Sequence, residues 1–379
     1  MLIKARHLMT LLNRLGDEVI VQSPLLGFQL FTLDLSARTA RVRDVISSGD
    51  YNTIRMAALG QVESAIASRF AASDPAVRED LCRAVKSEIP DYGRLRDAFR
   101  QAGVVAPSNL DKICALLEQA RRSNPAHGGD IYYFAFDNNA LRNRLYSQFL
   151  RPQSPRDARY NFVLARQVLN EIDCRLGKSL GAFMEAMEAA MANLNAASVF
   201  ANQNRLADRL RQLAKAEWND LLACGSCEIV ETGREQPNAP VDSDNIIIAA
   251  YEQFAGKPGR KVVLFSSDNE FVTQASGRTN VIDLMVDYSH NPWPVVSAAR
   301  WEDVSRLLYH LAVVYGRLDL QMPGVGLVRM YGVWKDKIAE DWEQEHSRVT
   351  MDIASSPVLK ALHDEMARDL AILAAATQA

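Results

Sequence analysis

The sequence lacks the apolar segments that a membrane or exported protein needs. No run approaches the roughly 18 consecutive apolar residues of a spanning helix. The first residues, MLIKARHLMTLLNRLG, place basic residues between apolar ones and have no continuous apolar core of a signal sequence. Cysteine is scarce, with five scattered residues in 379, an odd number typical of a reduced protein. We therefore expect a cytoplasmic protein with no membrane partner.

An excess of one charge is also lacking. The formal net charge is −3, so bulk charge does not indicate nucleic-acid binding, although a local basic patch is compatible with it. The six histidines show neither triad nor metal-ligand spacing, and internal repeats and low-complexity tracts are absent. What remains is an ordinary globular composition, 48% hydrophobic and 23% charged, long enough for two or three domains.

Two loop-like stretches divide the chain. SNPAHGGD (123–130) and NPWPVVS (291–297) combine proline or glycine with polar residues and predict domain boundaries. They separate a mainly helical region 1–125, with a hairpin near 28–46, from a central region 126–290 and a mainly helical region 291–379 with a short strand. The large helical flanks are candidates for homo-oligomerisation.

The central region predicts an α/β fold. Short apolar strands such as IYYFAFD, EIVET, KVVLFSS and NVIDLMVDY alternate with helical stretches. This alternation is typical of βαβ units and of a parallel sheet covered by helices. A long helical insert is expected near 180–222.

Acidic residues follow these strands. Asp137 and Asp268 end two of them, Asp242 and Asp244 precede a helix, and Glu171 lies inside one. Except for Glu171, each could cap the helix that follows it. The alternative is a ligand site, since ligands of open parallel sheets bind outside the carboxyl ends of the strands.

Four motifs in this order resemble the PIN (PilT N-terminus) nuclease domain, over residues of about 130 to 290. FAFDNNAL resembles the family's strand-ending Asp with an Asn two positions on, and VLNEID resembles its helix with an inward Glu. DSDNIIIAAYEQFAG resembles the third acid at the head of an apolar helix, and VVLFSSDNEF resembles the strand ending in Ser or Thr, any residue and Asp.

The resemblance implies a metal-dependent endonuclease that hydrolyses phosphodiester bonds, with RNA as the expected substrate. Asp137, Glu171, Asp244 and Asp268 would act in catalysis and bind the metal, with Asp242 as a rival ligand. Ser266 and Asn139 would orient the carboxylates by hydrogen bonding. Converging carboxylates repel unless a cation compensates them, and hard oxygen ligands suit Mg²⁺ or Mn²⁺.

Arginines near the first acid are candidate phosphate contacts. They are Arg142, Arg144, Arg151, Arg156 and Arg159. Three alternatives remain open: a catalytically inactive PIN-like scaffold that binds RNA or a protein, a DNA-directed metal nuclease, and a helical interaction protein with an unrelated α/β core. In the last case the four acids would lie far apart.

Overall fold

The structure, a computed structural model, divides into two compact units that are both discontinuous in sequence. It describes residues 1–14, 16–36, 39–153, 160–173, 181–190, 205–224, 226–231, 243–288, 299–354 and 356–376. The first unit comprises Met1–Val104, Leu176–Leu210 and Trp293–Ala379, and the second comprises Val105–Arg175 and Arg211–Pro292.

The described residues form the following strands and α-helices. The strands are β1 (Leu2–Lys4), β2 (Glu18–Ser23), β3 (Phe28–Asp34), β4 (Arg41–Arg43), β5 (Ile131–Phe136), β6 (Asn161–Ala165), β7 (Cys227–Val230), β8 (Arg260–Ser266), β9 (Val281–Met285), β10 (Arg317–Met322), β11 (Gly326–Tyr331) and β12 (His346–Met351). The α-helices are Met9–Leu12, Ser48–Arg69, Pro75–Lys86, Tyr92–Gln101, Leu110–Arg122, Asn138–Arg142, Arg151–Gln153, Arg166–Ile172, Gly181–Ala190, Leu206–Ala223, Ser243–Ala255, Asn269–Ala275, Trp301–Tyr315, Ala339–Glu343 and Pro357–Ala376.

The first unit is built on a seven-stranded antiparallel sheet in the order β1-β12-β11-β10-β2-β3-β4. Strands from both ends of the chain therefore form one sheet. The helix Trp301–Tyr315 packs against β10 and β11 and is almost wholly buried. At Gly332, just after β11, an added Cβ would lie 2.2 Å from the carbonyl carbon of Ala312, so only glycine allows this close approach.

Three helices of the first unit begin at a capping side chain. The Ser47 hydroxyl accepts a hydrogen bond from the Asp50 amide at 3.1 Å, and the Asp91 carboxylate accepts one from the Arg94 amide at 3.0 Å. Asp74 caps the helix that opens with Pro75, a residue well suited to the first helical position. These caps satisfy amide groups that have no partner within the helix.

The second unit is built on a five-stranded parallel sheet in the order β7-β6-β5-β8-β9. The chain forms β5 first, adds β6 and β7 on one side, and then adds β8 and β9 on the other. The winding thus reverses at β5, which is where ligands bind in sheets of this kind. The register pairs Phe136 with Phe265, so the carboxyl ends of β5 and β8 are neighbours.

Aromatic side chains hold the central strands of this sheet together. The ring of Phe134 stacks on that of Phe265 with centroids 5.8 Å apart, and Phe136 stacks on Phe265 at 5.6 Å and on Phe162 at 6.1 Å. Phe134, Phe136 and Phe265 are fully buried. This rigid core fixes the strand ends that carry the acidic residues.

The mixed α/β architecture and the parallel sheet flanked by helices are confirmed. The hairpin expected near 28–46 is present as β3 and β4, which pair antiparallel. The flanks hold more strand than predicted, because β1, β2 and three C-terminal strands join the same sheet. The division into units also differs from boundaries at 125/126 and 290/291, since the first unit combines both flanks with residues 176–210. None of the helices in the described ranges is long and apolar enough to cross a membrane.

Candidate functional site

Asp137 lies at the carboxyl end of β5 and is only 4% exposed. Its Oδ1 accepts a hydrogen bond from the Ala140 amide at 2.6 Å, so it caps the helix Asn138–Arg142. Its Oδ2 accepts one from the Ser266 hydroxyl at 2.6 Å. Both carboxylate oxygens are thus engaged within the second unit. The capping role considered from the sequence is present, and it does not exclude a role in the site.

The pKa of Asp137 is raised from 3.8 to about 7, first of all because burial disfavours the ionised form. The hydrogen bonds from Ser266 and Ala140 lower the pKa, whereas the charges of Asp268 and Asp244 raise it. Three carboxylates from separate segments are therefore near enough to influence one another. A neutral-to-ionised transition near physiological pH is typical of functional carboxylates, although structural ion pairs also produce such shifts.

Ser266 links Asp137 to Asp268. Its hydroxyl, which is fully buried, donates to Asp137 and accepts from the Asp268 amide at 2.9 Å. The Asp268 carboxylate in turn caps the helix Asn269–Ala275, accepting from the Glu270 amide at 2.9 Å. The strand KVVLFSS therefore ends in a serine that fixes the positions of two acids at once.

Glu171 is held between the segments that carry Asp137 and Asp244. Its Oε2 accepts from the Asn138 side-chain amide at 3.1 Å, and its Oε1 accepts from the Ser243 hydroxyl. Asn138 directly follows Asp137, and Ser243 directly precedes Asp244. The segments bearing the four acids are thus linked by hydrogen bonds at one edge of the parallel sheet.

Asn138 contacts this cluster in a way that the sequence did not predict. Its Oδ1 is buried and has no hydrogen-bond partner in the described part of the chain, while its Nδ2 donates to Glu171. The neighbouring Asn139, predicted to orient a carboxylate, makes no side-chain hydrogen bond to a described residue. The sequence offers two adjacent asparagines in FAFDNNAL, and only the helix geometry distinguishes them.

Tyr251 is a second residue that the sequence reasoning missed. Its hydroxyl is buried, donates to the Phe136 carbonyl at 2.9 Å and accepts from the Ala165 amide at 3.0 Å. The pairing of β5 with β6 ends before these two residues, so the hydroxyl bridges the strands where they diverge. The bridge fixes the backbone just before Asp137 and just before the helix that carries Glu171. The only sequence signal is a tyrosine among apolar residues of NIIIAAYEQF.

The predicted arginine contacts have different surroundings. Arg144 is 5% exposed, with its guanidinium 3.6 Å from the carboxylate of Glu217 and 3.5 Å from that of Asp220. Arg144 is therefore not placed to contact phosphates as predicted, because its guanidinium is buried and lies beside two carboxylates. Arg142 is half-buried and Arg151 is exposed. Arg156, Arg159 and the rival ligand Asp242 lie outside the described residues.

The donor groups of the site are all oxygens, which suits a hard divalent cation more than zinc. The partnerless Asn138 oxygen and the raised pKa of Asp137 are compatible with such an ion. Within the described residues, however, no three histidine, cysteine or acidic side chains are already arranged around one point. Each oxygen of Asp137 and of Glu171 accepts one hydrogen bond and keeps a further lone pair that a cation could use. Comparison of the chain with family models, curated proteins and solved structures gives no match.

Proposed function

We propose that the second unit is a PIN-like, metal-dependent phosphodiesterase that cleaves nucleic acid, with RNA as its substrate. The observation that supports this most is the buried Asp137, whose pKa is raised to about 7 by burial and by the charges of Asp268 and Asp244. A chain that only needed helix caps would gain nothing from bringing these carboxylates together, since their mutual repulsion is unfavourable. A cation removes that repulsion.

Mg²⁺ or Mn²⁺ would be held by Asp137, Asp244 and Asp268, with Glu171 as a further oxygen donor. Such an ion lowers the pKa of bound water and compensates negative charge on the phosphate group. The Asn138 oxygen is an additional neutral donor, because it is buried and no described residue bonds to it.

Neighbouring groups of the chain position these acids. The Ser266 hydroxyl keeps one oxygen of Asp137 in place, and Ser243 and Asn138 do the same for Glu171. Orienting hydrogen bonds of this kind hold a carboxylate in the geometry that an ion requires, so ion binding costs less ordering. Tyr251 keeps the two strand ends at a constant separation.

The preference for RNA rests on the resemblance to the PIN family, and a DNA substrate is the alternative that the assay decides. Arg142 and Arg151 remain candidates for phosphate contacts, as do Arg156 and Arg159. Arg144 is no longer among them, since it is buried beside Glu217.

A second candidate function is a catalytically inactive scaffold that binds RNA or a protein. The observation that favours it is that both oxygens of Asp137 are already bonded to Ala140 and Ser266. The absence of a ready-made ligand set among the described residues points the same way. In that case the acid cluster would persist only as a network of caps.

Isothermal titration with Mn²⁺ and cleavage of labelled RNA and DNA oligonucleotides of one sequence test the proposal. We expect Mn²⁺ binding and RNA cleavage by the wild-type chain, and loss of both in Asp137→Asn and Glu171→Gln. Asp173→Asn is the control, because this acid lies next to the same helix but is 56% exposed and pairs with Lys215. Failure of the wild type to bind Mn²⁺ would leave the scaffold as the better description.

A further inference from the structure

The sheet of the first unit has a polar face opposite its core. Residues alternate between the two faces of a strand. Ile3 in β1, Val349 in β12 and Met330 in β11 point into the core and are at most 2% exposed. Lys4, Arg348 and Arg329, their neighbours along the strands, therefore lie on the other face. Arg348 is exposed, and Lys4 and Arg329 are partly exposed.

The register brings these cations together across three adjacent strands. Arg348 pairs with Leu2 of β1 on one side and with Tyr331 of β11 on the other. Lys4 and Arg329 each lie two residues along from these partners, so they are diagonal neighbours of Arg348. Diagonal positions on one face of a sheet are about 7–8 Å apart. We call Lys4, Arg348, Arg329 and Tyr331 the basic sheet face.

The cations of the basic sheet face have no acidic partner within 4 Å in the described part of the chain. The acid that lies opposite Arg329 is Asp319, and it pairs with Arg317 at 3.0 Å. Ordinary surface cations are often interspersed with acids, which cancel their field. The charge of Arg329 also acts on Asp319. Lys4 lies opposite His346, and Arg348 lies opposite Leu2 and Tyr331, none of which is acidic.

A neighbouring histidine responds to this field. The pKa of His7 is lowered, first by burial and then by the charges of Arg6, Lys4 and His346. Arg6 is exposed and extends the basic surface beyond β1. Lys4, Arg6 and Arg348 thus bring basic side chains to this part of the sheet, although the whole chain has a formal net charge of −3.

An aromatic ring lies among these charges. Tyr331 is partly exposed, and the Arg317 guanidinium lies 5.9 Å from its ring centroid. Its cross-strand partner is Arg348. An aromatic ring between cations on an open sheet is the combination that binds single-stranded nucleic acid, because bases stack on the ring while phosphates pair with the cations.

We propose that the basic sheet face binds single-stranded nucleic acid through Lys4, Arg329, Arg348 and Tyr331. A single strand fits better than a duplex because its bases are free to stack on Tyr331. Anionic vesicles are included in the test as a competing ligand, since a partly exposed tyrosine beside cations also suits a membrane interface. The basic sheet face shares no residue with the acid cluster, and binding there does not require cleavage.

Fluorescence anisotropy with a labelled single-stranded RNA tests the proposal. The full chain carrying Asp137→Asn is used in EDTA, so that any cleavage is suppressed. Log affinity should fall with log salt concentration with a slope near −2, since about three phosphate contacts on a single strand contribute roughly −0.7 each. The double variant Arg329→Glu, Arg348→Glu should weaken binding at least about tenfold and flatten this slope. Arg329→Gln, Arg348→Gln should do so to a smaller extent, which guards against a folding defect of the reversed charges.

The matched control is Arg78→Glu, Arg83→Glu, which changes the net charge equally on the exposed helix Pro75–Lys86. It should leave affinity unchanged. Tyr331→Ala should weaken binding at least about fivefold without altering the salt slope, and Tyr331→Phe should retain it.

Equal losses in the control and in the sheet variants would overturn the proposal, as would preferential binding of a duplex or of anionic vesicles. The outcome is independent of the proposed nuclease activity. Binding without Mn²⁺-dependent cleavage by the wild type would support the basic sheet face and refute the nuclease. Cleavage by the wild type, together with unchanged binding in the sheet variants, would support the nuclease and refute the basic sheet face.

Discussion

Replacing Asp137 by asparagine should stabilise the metal-free protein at neutral and alkaline pH. The substitution keeps the shape of the side chain. The new Oδ1 can accept from the Ala140 amide as the carboxylate does. The new Nδ2 can only donate to the Ser266 oxygen, so the buried Ser266 hydroxyl loses its acceptor at a cost of about 1 kcal/mol. What the substitution removes is a charge that is buried and close to two other carboxylates.

The size and sign of the effect follow from the pKa of Asp137, which is 3.8 ordinarily and about 7 in the folded chain. Between these values the folded chain holds a proton that the unfolded chain has released, so stability falls as the pH rises through this window. Each pH unit corresponds to about 1.4 kcal/mol, which gives a cost of about 4 kcal/mol above pH 7. After subtracting about 1 kcal/mol for the lost Ser266 acceptor, Asp137→Asn should lie about 1 kcal/mol below the wild type near pH 4 and exceed it by about 3 kcal/mol at pH 8.

Hydrogen exchange measured by mass spectrometry in EDTA, read on the amides of β5 and β8, reports the unfolding free energy of the second unit. Asp173→Asn is the control, and we expect it to stay within about 0.5 kcal/mol of the wild type because its carboxylate is exposed. If Asp137→Asn is no more stable than the wild type at pH 8, the buried carboxylate is not costly. The argument for a cation at this site then loses its basis.

Three further changes test the packing on which the two units depend. Tyr251→Phe should lower the unfolding free energy by about 1–3 kcal/mol and weaken Mn²⁺ binding in titration, since two buried backbone groups lose their shared partner; unchanged values would refute the bridge. Gly332→Ala should lower the unfolding free energy measured in urea by at least about 2 kcal/mol, because the new Cβ would meet the backbone of Ala312. Gly60→Ala, which has open space around it, should raise this free energy by up to about 1 kcal/mol. Lys337→Met tests a buried lysine whose pKa is lowered by burial to about 7. Between pH 7 and 10 only the unfolded chain keeps the proton on this lysine. The unfolding free energy of the wild type should therefore rise by about 1.4 kcal/mol per pH unit relative to that of the variant. A constant difference across that range would contradict the lowered pKa.

The parallel sheet was predictable because its signals are local. A buried parallel strand is a short apolar run, and IYYFAF, RKVVLFS and VIDLM are each recognisable without their neighbours. NFVLA, which forms β6, was instead assigned to a helical stretch. The antiparallel sheet of the first unit was not predictable, because β2 pairs with β10 from the other end of the chain. Short strands such as β1 and β4 gain their stability from those distant partners, and no window of sequence contains both.

Around the candidate site, the sequence indicated the acids and Ser266, and it missed Asn138 and Tyr251. Asp137 and Asp268 end strands, which the pattern of apolar residues marks. An acid at a strand end can cap the following helix and also lie near other acids, as Asp137 does. The prediction that Arg144 contacts phosphates was wrong because its partner Glu217 lies on another segment of the second unit. A series of basic residues in the sequence does not show which of them points inward.

Because β2 pairs with β10, the sheet of the first unit can be completed only late in translation. A ribosome delivers about 5–20 residues per second, so β2 and β3 wait on the order of tens of seconds for the strand that completes their sheet. The whole of the second unit emerges in that interval. A nascent chain that stops after β9 would therefore carry the acid cluster on a finished scaffold beside a half-built sheet with an open edge, and such edges favour aggregation.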